Sequence, residues 1–171
     1  MNNIEKIVDI LESGQQPSRS ECSFFVNKVF SGGVDKDVIT KILRLFNNVG
    51  FDAPQLSGFA ESMRKVSKKV ICKKNIVDNC GTGGDAMHTF NISTTSSLIA
   101  SCCEVSVAKH GNKSITSNSG SADLLSGVGI KINLSPEAVS NCIEKLNFGF
   151  MFAPLHHSSM RYVAESRKEI A

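Results

Sequence analysis

Two copies of one local pattern, an apolar run followed by a loop of glycines and short polar residues and then a helix, constrain this chain more than anything else in it. Ile76 and Val77 lead into Asp78-Asn79-Cys80-Gly81-Thr82-Gly83-Gly84-Asp85, and the loop continues through Thr89, Asn91, Ser93 and Thr94. An apolar run from Val105 to Ala108 leads into Lys109-His110-Gly111-Asn112-Lys113-Ser114, followed by Thr116, Ser117, Ser119, Gly120 and Ser121. Between them, 93–103 reads as a helix with Leu98, Ile99, Cys102 and Cys103 on one side. Strand, helix and strand in that order predict a right-handed βαβ unit with parallel strands, which brings both loops to the same edge of the sheet. They then face each other across a crevice about one strand spacing wide, roughly 5 Å.

Successive glycines let backbone N–H groups turn inward as an anion nest, and a helix start adds donors and the positive end of a dipole. The spacing G-x-G-G-D, with Met87 after Ala86, fails the dinucleotide fingerprint, and the Walker A pattern fails too. A tight turn alone also calls for glycine, and a single lysine or histidine is commonly surface or core. Thr89, Asn91, Ser93 and Thr94 nevertheless offer more oxygens and amides than one cap requires. Together with Lys109 and the serines of the second loop they point to a ligand with several oxyanions.

The remainder organises around this core. Residues 1–70 read as a domain of four short helices, 71–171 as an α/β domain. Ile4, Ile7, Val8 and Leu11 mark the first helix and Gly14 its stop. Ser18 and Glu21 form a capping box for the second, whose inner face is Cys22, Phe25, Val26, Val29 and Phe30 before Gly32-Gly33. Asp35 or Asp37 opens the third, with Val38, Ile42, Leu45, Phe46 and Val49. Pro54 opens the fourth, with Leu56, Phe59, Ala60 and Met63. Further on, 119–128 reads as a helix, Ser135-Pro136 opens another carrying Val139, Cys142, Ile143 and Leu146, 148–152 is a strand, and a last helix begins near Pro154.

With 41% hydrophobic and 20% charged residues the chain has ordinary globular usage. The five lysines between Lys65 and Lys74 have no interleaved aromatics, so a solvated connector is expected rather than a nucleic-acid patch. Six cysteines show no metal-type spacing, which predicts buried free thiols in a reducing cytoplasm. No secretory leader and no apolar run near 18 residues are present, so no membrane partner is expected.

Gly81-Thr-Gly-Gly-Asp85, Asn91-Ile-Ser-Thr94, Lys109-His-Gly-Asn112 and Gly120-Ser-Ala-Asp-Leu-Leu125 occur in the order and spacing of anthranilate phosphoribosyltransferase, which the chain resembles over essentially its whole length, through Phe152-Ala-Pro154 and His157. The resemblance implies a nucleoside phosphorylase-like α/β fold with a small N-terminal helical domain and a truncated parallel-sheet domain, and a homodimer formed through the helices. It implies transfer of phosphoribose from phosphoribosyl diphosphate to the amine of anthranilate, in tryptophan biosynthesis, with Mg²⁺. Gly81, Gly84, Asp85, Thr89, Asn91, Ile92, Ser93 and Thr94 would hold the donor, with Ser93 on the metal. Lys109, His110, Gly111, Asn112, Lys113, Ser114, Ile115, Thr116, Ser117 and Ser121 would complete that pocket. Gly81, His110, Asn112, His157 and Arg167 would line the anthranilate path. No general base is nominated, because departure of diphosphate calls for electrostatic stabilisation and positioning. Lys113 stands where the family often has arginine, which loses a bidentate fork. The family runs to about twice this length and carries an acidic magnesium-binding pair downstream, so weak or absent turnover by these 171 residues is expected. A nucleic-acid-binding relative and a pyrimidine-nucleoside phosphorylase are the alternatives.

Overall fold

The computed structural model describes residues 3–81, 90–114 and 120–170. It divides into two compact units, Met1–Ser67 with His157–Ala171, and Lys68–His156.

The helical unit contains α1 (Asn3–Glu12), α2 (Arg19–Phe30), α3 (Lys36–Val49) and α4 (Ala53–Val66). Its core joins Ile7 and Leu11 of α1, Cys22, Phe25, Val26 and Val29 of α2, and Ile39, Ile42 and Phe46 of α3. The capping box of α2 forms as its residues predict: Ser18 N–H donates to Glu21 Oε2 at 2.8 Å and Glu21 N–H donates to Ser18 Oγ at 3.3 Å. Glu21 also pairs with Lys6 at 2.8 Å. The Lys6 hydrogen bond, followed by those from Ser18, holds its carboxyl at about 2.

Helix α4 departs from its predicted face. Leu56 is 50% exposed and Ala60 is exposed, while Gln55, Gly58 and Ser62 are buried. Close approach to α2 is the cause. A Cβ on Gly58 would lie 2.4 Å from the Arg19 carbonyl oxygen and 3.0 Å from Cys22 Cβ, so only hydrogen fits there. The polar groups on this seam are satisfied: Gln55 Nε2 donates to Pro17 O at 2.6 Å and Ser62 Oγ donates to Ser23 O at 3.0 Å. Phe59 still reaches the core, edge-on to Phe46 with ring centroids 5.3 Å apart.

The closing segment, read from the sequence as part of the α/β domain, makes its contacts in the helical unit. A 3₁₀ turn (Ser158–Val163) and a final helix (Ala164–Ile170) place Val163 against the helical core. Ser166 is buried and donates to Lys36 O at 3.3 Å. Glu169 pairs with Lys36 at 3.2 Å and Arg44 at 3.1 Å.

In the second unit, α5 (Ile92–Cys102), β1 (Val107–Gly111), α6 (Ser121–Gly127), α7 (Pro136–Leu146) and β2 (Phe148–Phe152) follow in order. β1 and β2 are parallel, with Lys109 opposite Phe150. Val77 adds a single parallel bridge to Val107, so the first βαβ strand is present only as that contact. One core cluster joins Phe150 to Leu98, Ala122, Leu125 and Ile132, and another joins Ala108 to Val139, Ile143 and Met151. The sheet is therefore covered on both faces, as a parallel sheet requires. β2 lies tight under α7: a Cβ on Gly149 would meet Ile143 Cγ1 at 2.6 Å.

The predicted strand at 105–108 shifts forward. Glu104 turns the chain with φ 64°, Val105 is left outside, and Lys109, His110 and Gly111 become part of the strand. On α5 the predicted side also rotates: Leu98 packs inward, but Thr94 and Ser97 are the buried residues, and Ile99, Cys102 and Cys103 are exposed. The expectation of buried thiols is thus corrected: Cys22 is buried, Cys72 and Cys142 are half-buried, and Cys80, Cys102 and Cys103 are exposed.

Two lysines of the connector run already have protein partners. Lys65 pairs with Glu61 at 3.0 Å. Lys74 Nζ donates to Ile143 O at 3.3 Å and Asn147 Oδ1 at 2.7 Å, closing the C-terminal end of α7. That is helix-end chemistry and leaves less free charge for a nucleic-acid face. Among the described residues no helix is long and apolar enough to cross a membrane.

Candidate functional site

The end of the first strand is tied to α5 by one side chain. Asn79 Nδ2 donates to Ser93 O and Ser96 Oγ, each at 2.9 Å, while its Oδ1 accepts from Ser97 Oγ at 2.7 Å. All three of these bonds go to α5, so the loop leaving Val77 is held against that helix's first turns. Asp78 Oδ1 accepts from Cys80 N–H at 3.1 Å and lies 3.4 Å from His110 N. Gly81 follows, exposed, and a Cβ there would lie 3.8 Å from Ser93 Oγ, so the Ser93 hydroxyl faces the glycine.

Two hydrogen bonds join the loops directly. Asn91, at the N-cap position of α5, donates from Nδ2 to Gly120 O at 3.0 Å. Thr94, fully buried, donates from Oγ1 to Ser121 Oγ at 2.9 Å. Both loops therefore converge at the N-terminal ends of α5 and α6. Ile92, the first residue of α5, is 54% exposed and turns away from the core.

Lys109 stands on β1 with only 1% of its surface exposed. Its register with Phe150 puts it on the face covered by α5 and α6, the face that carries Thr94 and Ser121. Among the described residues its ammonium has no hydrogen-bond or ion-pair partner. A buried cation normally has a carboxylate beside it, since desolvation otherwise opposes the charge. His110, next along the strand, is half-buried. Burial chiefly, with help from His156 and Lys109, lowers its pKa below 6.5, against the opposing pull of Asp78. The imidazole is therefore neutral at neutral pH. Gly111 admits no side chain, because a Cβ would meet the Phe150 ring at 2.8 Å and Ser121 Cβ at 2.9 Å.

Asn112 and Lys113 are exposed beyond the strand, and Asn112 O accepts from Ala122 N–H at 3.1 Å. Ser114 N–H and Gly120 N–H both donate to Asp123 Oδ2, at 2.8 and 2.9 Å. Those two bonds, then the nearby Lys113 charge, hold the Asp123 carboxyl below the usual range.

The geometry thus brings together Gly81, Asn91, Ser93, Thr94, Lys109, Gly111, Asn112, Lys113, Ser114 and Ser121, whereas His110, opposite Met151, turns its side chain to the other face of the sheet, the face of Ala108 and α7. Gly84, Asp85, Thr89, Ile115, Thr116 and Ser117 lie outside the described residues. His157 and Arg167 belong to the helical unit: His157 is half-buried before the 3₁₀ turn, and Arg167 is exposed on the final helix. Three residues that organise the loops, Asn79, Ser97 and Asp123, escape the sequence reading as site residues. Asp123 lies inside the Gly120–Leu125 motif, three residues past a helix start, where an acidic side chain reaches back to the N-cap.

The chemistry of this donor set suits an oxyanion more than a bare cation. Among the described residues no group of three or more His, Cys, Asp or Glu side chains could hold a metal ion. The Ser93 hydroxyl is the one predicted ligand present, and it suits a magnesium that retains waters and phosphate oxygens as its other ligands.

Known proteins resemble the chain in sequence and in fold. The family model for the glycosyl transferase family, a/b domain, matches residues 73–171. Anthranilate phosphoribosyltransferase of Desulfatibacillum aliphaticivorans is 40% identical over 168 residues, covering 98% of this chain and 48% of that protein. The crystal structure of the Thermus thermophilus anthranilate phosphoribosyltransferase superposes with a TM-score of 0.89 at 32% identity, over 100% of this chain and 51% of that one. The Saccharomyces cerevisiae enzyme in complex with phosphoribosyl diphosphate and Mg gives 0.87 at 26% identity, over 98% and 51%. The chain spans about half the length of the curated relatives it matches. The resemblance to anthranilate phosphoribosyltransferases holds along nearly all of its residues, and the chain belongs to the glycosyl transferase family whose a/b domain it carries.

Proposed function

We propose that these residues bind phosphoribosyl diphosphate and form the donor side of a phosphoribosyl transfer to the amine of anthranilate, a step of tryptophan biosynthesis in the cytoplasm. The observation that carries this reading is the buried Lys109 on the sheet face where two hydroxyl-rich loops converge. A diphosphate would offer this buried cation a counter-charge. Relatives of the same family are named for this transfer, and one of them is seen with phosphoribosyl diphosphate and Mg.

The chemistry asks for stabilisation of charge at both ends of the breaking bond. As the bond from the sugar carbon to diphosphate lengthens, negative charge grows on the leaving oxygens, where Lys109 and the α5 N-terminal region oppose it. Asn91 and Thr94 keep the two loops at fixed separation, so little reorganisation accompanies the reaction. Ser93 would hold magnesium through its hydroxyl, and the metal, when bound, neutralises diphosphate charge. The acceptor amine, an arylamine, is unprotonated at neutral pH in its own right, and neutral His110 adds no positive charge beside it. Gly81 and Asn112, at the ends of the two loops, would contact the acceptor. Association of two copies through the helical unit belongs to the same reading.

Substituting Lys109 by methionine tests it. An apolar side chain of similar volume removes the desolvated charge, so Lys109→Met is expected to raise the thermal midpoint and to abolish calorimetric binding of phosphoribosyl diphosphate in Mg²⁺ buffer. Loss of anthranilate fluorescence, in the same buffer, measures any turnover. Equal donor binding by Lys109→Met and the parent protein, or none by the parent, refutes the proposal.

A further inference from the structure

The Asp123 carboxylate does more than an N-terminal helix residue requires. Its bond from Gly120 N–H, 2.9 Å, is an ordinary reach back to the N-cap. Its bond from Ser114 N–H, 2.8 Å, is not: that residue lies nine positions earlier and outside the helix. One oxygen, Oδ2, accepts both. The ends of the loop are consequently in backbone contact, and a Cβ on Gly120 would sit 2.3 Å from Ser114 N and 2.7 Å from Asn112 O. A third bond, Ala122 N–H to Asn112 O at 3.1 Å, runs alongside these. The junction continues outward, because Gly120 O accepts from Asn91 on the opposite loop.

We propose that Asp123 is a positioning residue for the diphosphate donor, acting as a clasp that holds Ser114 against Gly120 and so fixes the second loop relative to the first. The inference rests on the reading of these loops as the donor site. Asp123 touches no substrate in this scheme. It works through the backbone amides of Ser114 and Gly120, and through Gly120 on Asn91. Preorganisation of this kind acts on affinity, since a loop that must be ordered on binding spends part of its interaction energy in doing so.

Two substitutions separate the clasp from a simple helix cap. Asp123→Ala removes the acceptor of both bonds; Asp123→Asn retains a carbonyl oxygen able to accept both N–H groups, without the charge. Hydrogen exchange at the Ser114 and Gly120 amides and calorimetric titration with phosphoribosyl diphosphate and with inorganic diphosphate are measured on the whole chain. In Asp123→Ala both amides should exchange faster and donor affinity should fall, each by roughly tenfold or more, as loss of hydrogen bonds to a charged acceptor implies. Asp123→Asn should restore part of both. A helix cap alone predicts faster exchange at Gly120 and within α6, with Ser114 and donor affinity unmoved, and that pattern overturns the proposal. If Asp123→Ala does not fold, hydrogen exchange of the parent protein carries the test, and a Ser114 amide that exchanges as fast as a solvent-exposed one overturns it. Parent protein that binds neither ligand refutes the donor-site reading instead, and the Ser114 exchange rate still decides whether the clasp exists.

Discussion

Gly120→Ala isolates the contact between loop ends from every other effect of a substitution. The backbone at Gly120 has φ −81° and ψ 171°, a conformation open to any residue, so alanine brings no backbone strain. The obstacle is contact. The new Cβ would lie 2.3 Å from Ser114 N, 2.6 Å from the Lys113 carbonyl carbon and 2.7 Å from Asn112 O. Ordinary contact starts near 3.4 Å, so the facing chain must retreat by roughly 1 Å, and main-chain atoms cannot rotate aside. The amide bonds to Asp123, at 2.8 and 2.9 Å, do not survive a displacement of that size. Overpacking of this kind costs about 1–3 kcal/mol, and the reduced freedom of an unfolded alanine offsets about 0.4–1 kcal/mol. A net of about 1–2 kcal/mol, met again whenever the loop is reordered by ligand, weakens donor binding by roughly 5- to 30-fold. Calorimetric titration with phosphoribosyl diphosphate, with hydrogen exchange at Ser114, measures both sides. Gly127→Ala is the control, because a Cβ there meets nothing within 4 Å. Parent-like affinity and parent-like Ser114 exchange in Gly120→Ala would refute the reasoning.

Gly58→Ala should lower the thermal midpoint although alanine favours a helix by about 1 kcal/mol, because its Cβ would sit 2.4 Å from Arg19 O. A net loss of about 1 kcal/mol corresponds to roughly 4–8 °C in a unit of this size, and a midpoint at or above the parent's would show that α4 and α2 can separate cheaply. Stability should also depend on His110, whose folded pKa lies below its ordinary 6.5, chiefly through burial. The unfolded chain then binds more protons in that window, so the contribution is complete above about 6.5 and is lost as pH falls towards the folded value. His110→Gln should flatten the change in thermal midpoint between pH values of about 7.5 and 5.5; an unchanged slope would place the effect on another group.

Local rules carry the sequence reading furthest where one residue answers to its near neighbours. Ser18 and Glu21 specify the start of α2, Ser135 and Pro136 that of α7, and the run Phe148 to Phe152 becomes β2 without a shift. The apolar stripe is less informative where two helices approach through small residues. At α4, hydrophobicity favours Leu56 and Ala60, yet the buried edge is Gln55, Gly58 and Ser62, whose partners on α2 and its approach lie far away in sequence. Periodicity cannot see such a seam, because its selection is for shape and hydrogen bonding rather than transfer from water.

The candidate site divides along the same line. The glycines and hydroxyls of both loops are legible as anion chemistry because that chemistry resides in residue type. Lys109 reads in the sequence as the first residue of a loop, since a lysine inside a buried strand contradicts burial preference. In the structure it is inside the strand, and Gly111 continues the strand where even a methyl group would strike Phe150. These are the positions at which local preference and fold disagree, and such disagreements gather where a protein must hold something other than itself. Asp123 belongs to the opposite class. Its place in α6 satisfies every local rule, and only the fold shows that the same oxygen closes a loop nine residues upstream. A residue that agrees with its own helix conceals its long-range duty, which is why Lys109 is visible as an anomaly and Asp123 is not.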